Sequence, residues 1–86
     1  MLEGSETTLG RAPDSNIFLD DVTVSRHHAT IKHLGDAFEI SDAGSPNGTY
    51  VDRERVETAR LHDMSELQIG RFVLTFVVGV HAEQSA

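Results

Sequence analysis

TVSRHHATIKHLGDAFEIS, residues 23–41, carries the pattern that decides the fold. From Ala29 onward, Ala29, Ile31 and His33 alternate with Thr30 and Lys32. After the turn signal Leu34-Gly35-Asp36, Phe38 and Ile40 alternate with Glu39 and Ser41. A period of two points one set of side chains at a core and the other at water, as a half-buried strand requires. The stretch therefore predicts two strands around a short turn.

The same period recurs outward from this centre. Leu67 and Ile69 flank Gln68, and Phe72, Leu74, Phe76 and Val78 share one face of a last, longer strand. Turn signals separate the runs at Pro13-Asp14-Ser15-Asn16, at Gly44-Ser45-Pro46-Asn47-Gly48 and at Gly70. Between Arg53 and Met64 only Val56, Ala59 and Leu61 are apolar, and they hold no 3.6-residue face. A hairpin or irregular loops are expected there. Closely spaced strands without a helical stripe indicate an all-β antiparallel sandwich or barrel. One domain over residues 7–80 is expected, with residues 1–6 and 81–86 as tails.

Composition narrows the function. Eighty-six residues suffice for one small domain with a thin core, and leave no room for separate cofactor and substrate domains. The chain has no cysteine, which removes disulfides, thiolate metal sites and cysteine nucleophiles, and fits a reducing cytoplasm. No apolar run approaches the ~20 residues of a membrane span, and the start MLEGSETT lacks the features of a signal peptide. A soluble cytoplasmic protein is expected. Fourteen acidic residues against seven basic ones give a formal charge of −7, which argues against a nucleic-acid partner. A few converging cations could still bind one phosphate, so their positions matter more than their number.

Three kinds of site compete for Ser25, Arg26, His27 and His28. A hydrolase would use Ser25 and His28 with Asp21 or Asp42. Ser25 is flanked by Val24 and Arg26 rather than by the glycines of a nucleophile elbow. Three apart in a strand-like stretch, Ser25 and His28 should also lie on opposite faces. A metal site fares no better. Adjacent His27 and His28 point apart, and His33, His62 and His81 make no short-spaced pair with them. The simpler expectation has one histidine of the pair inward on backbone partners and the other in solvent. A phosphate grip has the right groups: Arg11 at a loop edge after Gly10, Ser25-Arg26 at the start of the next-but-one strand, and Asn47-Gly48 at the end of a tight turn. An arginine fork, a hydroxyl and a side-chain amide bind a phosphomonoester and its peptide backbone without reacting.

Gly10-Arg11, then Ser25-x-x-His28, then Asn47-Gly48 within DAGSPNGTYV, resembles the signature of the forkhead-associated (FHA) domain. PDSNIFL, LDDVTVSRHHA and LQIGRFVLTF fall in the family's order, so the resemblance spans about residues 7–78. It is nearest to small single-module FHA proteins of actinobacteria that act under serine/threonine kinases. The resemblance implies an antiparallel β-sandwich whose loops at one end bind phosphothreonine-containing proteins, with no catalysis, no cofactor and no metal. By position, Arg11 and Ser25 contact the phosphate, Arg26 adds a basic or backbone contact, and Asn47 holds the peptide main chain. Gly10, His28 and Gly48 support the loops.

Three departures from the family pattern stand out. Pro46 replaces the usual hydroxyl residue before the asparagine, and Ser45 is expected to substitute as a phosphate contact. Only nine residues precede Gly10, where the family has one or two strands more; an open strand edge would permit a strand-exchanged or edge-paired dimer instead of the expected monomer. HDMSEL lacks the family's turn glycine, so a strained or longer loop is expected at residues 62–67. An FHA-fold assembly module binding unphosphorylated surfaces is the alternative function. Ser5-Glu6-Thr7-Thr8 resembles the phosphorylatable tails of related regulators. Thr8 nevertheless lies within about 11 Å of chain from Arg11, too close to fold back easily, and Thr7-Thr8 are expected to form a strand.

Overall fold

The computed structural model describes residues 6–78, and residues 1–5 and 79–86, which hold nearly all of both expected tails, lie outside it. The hairpin read from residues 29–41 is β3 (Ala29–Leu34) and β4 (Ala37–Asp42), turning at Gly35 with φ of 61°. They pair antiparallel with Ile31 opposite Ile40 and His33 opposite Phe38. Ala29, Ile31 and Ile40 are buried, as the alternation requires. His33 sits at the exposed end of its row, where its ring stacks on Phe38 with centroids 4.2 Å apart.

The remaining strands are β1 (Glu6–Gly10), β2 (Ile17–Phe18), β5 (Thr49–Val51), β6 (Glu54–Val56), β7 (Thr58–Leu61), β8 (Ser65–Ile69) and β9 (Phe72–Phe76). They form two sheets, β2-β1-β3-β4-β7 and β6-β5-β8-β9. Leu9, Val24, Ile40 and Ile69 are essentially fully buried in the core, each worth about 1.5–3 kcal/mol of burial. Among the described residues β9 is paired on one side only, by β8. No described helix is long and apolar enough to cross a membrane.

Three local features differ from, or refine, the sequence expectation. One pairing is parallel: β1 with β2, Leu9 opposite Ile17. The intervening loop is clamped back onto β1 by Asn16, whose Oδ1 accepts from Thr8 N and Thr8 Oγ1 while its own N–H donates to Thr8 Oγ1. Thr7 and Thr8 thus lie within β1, in register with Ile31 and Thr30. Residues 53–64 hold β6 and β7, which belong to different sheets. The β5–β6 turn uses Asp52 and Arg53 at φ of 51° and 73°, a left-handed pair made without glycine. Asp52 Oδ1 accepts from Glu66 N, which helps hold that conformation. At the glycine-free turn before β8, Met64 takes a φ of 74°, so the expected strain falls on this residue. The Ser65 hydroxyl accepts from His62 N and braces the turn.

Candidate functional site

Three loops meet at one end of the sandwich: residues 11–16 after β1, residues 19–28 before β3, and residues 43–48 before β5. Backbone bonds weld the first two. Arg11 N donates to Ser25 O at 2.9 Å, Ala12 N to Arg26 O at 3.1 Å, and Leu19 N to Gly10 O at 2.9 Å. This crossing explains Gly10 physically. A Cβ there would sit far inside contact distance of the Arg26 carbonyl oxygen, so either β1 or the loop would have to move.

The expectation that Ser25 and His28 lie on opposite faces is corrected here. Residues 23–28 are not strand; β3 begins at Ala29, and the chain bends so that Ser25 N donates to His28 Nδ1 at 3.1 Å. On the other side of the ring, His28 Nε2 donates to Gly48 O at 2.8 Å. Because Nδ1 accepts, the proton resides on Nε2. His28 is fully buried and bridges the second loop to the third, while His27 is exposed. Both ring nitrogens are engaged with backbone, so no nitrogen faces the Ser25 hydroxyl as a base. The Asp42 carboxylate is likewise occupied within its own loop. Among the described residues no cluster of three metal-ligating side chains occurs.

Arg11 is anchored at its neck. Its Nε donates to Val24 O at 3.0 Å, which leaves the two terminal amino groups of the fork directed outward without partners among the described residues. The Ser25 hydroxyl also has no partner there. Asn47 Nδ2 donates to Thr23 O at 2.8 Å, leaving Asn47 Oδ1 uncommitted. Arg26 is exposed and lacks a carboxylate partner among the described residues. Arg11, Ser25, Arg26 and Asn47 therefore stand on three mutually hydrogen-bonded loops with polar groups still available.

Ser45 differs from the expectation. It is 5% exposed, its hydroxyl donates to Asp42 Oδ1, and the same oxygen accepts from Gly48 N. A phosphate contact from this hydroxyl would require breaking a buried arrangement. Asp42 also accepts from Gly44 N, Ser45 N and Thr49 Oγ1. Partial burial pushes the Asp42 carboxyl up, but hydrogen bonds from Ser45 and Thr49, with Gly44 N, outweigh it and hold the group below the ordinary carboxylate range. A lowered folded pKa contributes stability above the unfolded value of about 3.9 and loses it as pH falls through the folded value. Below about pH 4 the wild type should lose stability more steeply than Asp42→Asn, although the variant is less stable at neutral pH. Denaturant midpoints measured across that window check this.

The sequence reading missed the hub of the second loop, Thr23. Its hydroxyl donates to Asp21 Oδ2 at 2.6 Å and accepts from Arg71 N at 2.9 Å, and its carbonyl receives Asn47. The Thr23 hydroxyl, then its N–H, lowers the Asp21 carboxyl, with Arg71 adding a 3.4 Å ion pair. Gly70, at φ of 60°, lets the β8–β9 turn close on Thr23, whose Oγ1 would be 2.5 Å from a Cβ. The signal was present as Asp21-x-Thr23, a local turn motif in which Asp21 binds the N–H two residues on. It is masked by the strand-like alternation of VTVS.

Comparison with known proteins accords with this geometry. The family model for the FHA domain matches residues 7–70. The glycogen accumulation regulator GarA of Mycolicibacterium smegmatis is 51% identical over 85 residues, covering 99% of this chain and 54% of the relative. The oxoglutarate dehydrogenase inhibitor of Corynebacterium jeikeium is 52% identical over 79 residues, 92% of this chain and 55% of the relative. The chain thus spans about half the length of these curated relatives. Among solved structures, Mycobacterium tuberculosis EmbR in complex with a low-affinity phosphopeptide superposes with a TM-score of 0.83 at 38% identity, covering 90% of this chain and 21% of that one. A structure from work on phosphothreonine-dependent FHA domain interactions gives 0.79 at 30% identity, covering 83% of this chain and 74% of that one. The chain belongs to the FHA domain family.

Proposed function

We propose that the domain is a non-catalytic phosphothreonine reader that docks proteins phosphorylated by a serine/threonine kinase. The observation that carries this reading is a set of uncommitted polar groups on loops that are otherwise tied together by hydrogen bonds. The Arg11 fork, the Ser25 hydroxyl and Asn47 Oδ1 project from three loops that His28, Thr23 and Asp42 lock together. In this arrangement Arg11 and Ser25 hold the phosphate, Arg26 adds charge, and Asn47 accepts from the peptide main chain. Ser45 braces the third loop instead of reaching the ligand. Gly10, His28 and Gly48 keep the three loops in register.

The energetics suit a reversible binder. Phosphothreonine brings roughly −1.5 to −2 charge and three acceptor oxygens. Charge-assisted hydrogen bonds contribute about 1.5–3 kcal/mol each, and a micromolar complex needs about −8.2 kcal/mol. Two or three such bonds with main-chain contacts reach that range, and dephosphorylation removes it. The regulator and inhibitor names of the relatives fit a domain that acts by docking. An array of phosphothreonine peptides with phosphoserine controls tests the reading: phosphothreonine should be favoured, by as much as one methyl group can contribute, about 1–3 kcal/mol. The rival reading, an assembly module using the uncharged edge of β9, predicts binding that ignores the phosphate.

A further inference from the structure

The seven basic residues are not spread evenly. Arg11, Arg26, Arg55 and Arg71 all touch the loop cluster, although the protein carries a net charge of −7. Of these, Arg71 is paired with Asp21, whereas Arg11, Arg26 and Arg55 have no carboxylate partner among the described residues. The proposed phosphate grip accounts for Arg11 and Arg26. It leaves Arg55.

Arg55 belongs to β6, yet its side chain lies against the third loop. A Cβ on Gly48 would be 2.6 Å from Arg55 Nε, and Gly48 has a φ of 83°, so glycine both makes the turn and leaves space for the guanidinium. The arginine's one hydrogen bond is long, 3.4 Å from Nη2 to Pro46 O. Beside it opens a cleft of about 480 Å³ lined by Asp42, Gly44, Ser45, Arg55, Val56 and Glu57. Asp42 is occupied by donors from its own loop, so the wall charges left to meet a ligand are Arg55 and the exposed Glu57. Arg55 touches both chain neighbours of Asn47, Pro46 through its hydrogen bond and Gly48 through its packing, while Asn47 itself donates to Thr23 O. A peptide held at Asn47 in extended form advances about 3.3 Å per residue, so its flanking residues pass over this wall.

We infer that Arg55 and the adjoining cleft form a subsite for an acidic side chain flanking the phosphothreonine, and so set a sequence preference of the domain. The inference rests on the phosphothreonine reading. Arg55 supplies the fork, Gly48 leaves it room against the third loop, and Glu57 opposes it and limits the gain.

The test walks a single glutamate along the positions flanking phosphothreonine in an otherwise neutral peptide, and repeats the series without the phosphate. One flanking position should bind about three- to fivefold tighter than the neutral peptide, the range of a solvent-exposed ion pair, and the ratio should shrink as salt rises. In Arg55→Gln that ratio should fall to about one, in Arg55→Lys part of it should persist, and in Glu57→Gln it should grow. If Arg55 merely supports the loop, Arg55→Gln will weaken acidic and neutral phosphopeptides equally and keep the ratio, which overturns the subsite. A wild-type domain that needs the phosphate but shows no acidic preference also overturns it, and leaves the reader function standing. Binding that ignores the phosphate overturns the reader function and the subsite with it.

Discussion

Arg11→Ala is expected to weaken binding of a phosphothreonine peptide by about one to two orders of magnitude, the equivalent of about 1.5–3 kcal/mol. The loss follows from geometry. Arg11 is exposed, its Nε is fixed on Val24 O, its backbone is bonded to Ser25, and its terminal amino groups are uncommitted among the described residues. Stability should change little, because alanine removes one side-chain bond, while Arg11 N still donates to Ser25 O. Arg11→Lys should fall between the two, since an ammonium cannot keep the carbonyl anchor and present a planar fork together. Unchanged affinity in Arg11→Ala, measured by calorimetric titration, would place the phosphate elsewhere.

His28→Ala should act mainly on stability. The substitution empties a fully buried position and leaves Ser25 N and Gly48 O without their partner. Unsatisfied buried groups and the lost packing together cost about 2–5 kcal/mol. In a domain of this size the melting temperature should fall by about 10 °C or more. His28→Gln should recover part of this, because its amide can donate to Gly48 O but offers Ser25 N no acceptor on the ring's other side. Binding should decline in step with the loosening of the second and third loops. Lost binding with an unchanged melting curve would instead make His28 a ligand contact.

Much of the fold was legible because alternation is a local signal. Ile31 and Ile40 announce their face without reference to anything distant. Where structure depends on side chains answering backbone across the molecule, the sequence is silent. Nothing local in Asn16 shows that it clamps onto Thr8 and makes the β1–β2 pair parallel. Nor does Asp52-Arg53, lacking glycine, advertise a left-handed turn. VTVS reads as strand because its apolar residues alternate, yet Val24 enters the core from a loop that Asp21 and Thr23 fold by hydrogen bonding.

The site was legible in part for the same reason. Arg11, Ser25 and Asn47 stand in a spaced motif, and their outward groups need no further partner to be recognised. A hydroxyl near Asn47 suggests a ligand contact in the sequence, which does not show that Asp42 and Gly48 N engage it in the folded chain. Thr23 and Gly70 are far apart in sequence and act on one another only once the β8–β9 turn packs against the second loop.

Phosphate-dependent docking at the loop end can be measured by titrating the domain with one peptide in two forms, threonine and phosphothreonine. Micromolar binding of the phosphorylated form is expected, and affinity at least about a hundredfold weaker without the phosphate, which supplies two or more charge-assisted bonds. Equal affinity for the two forms would contradict it.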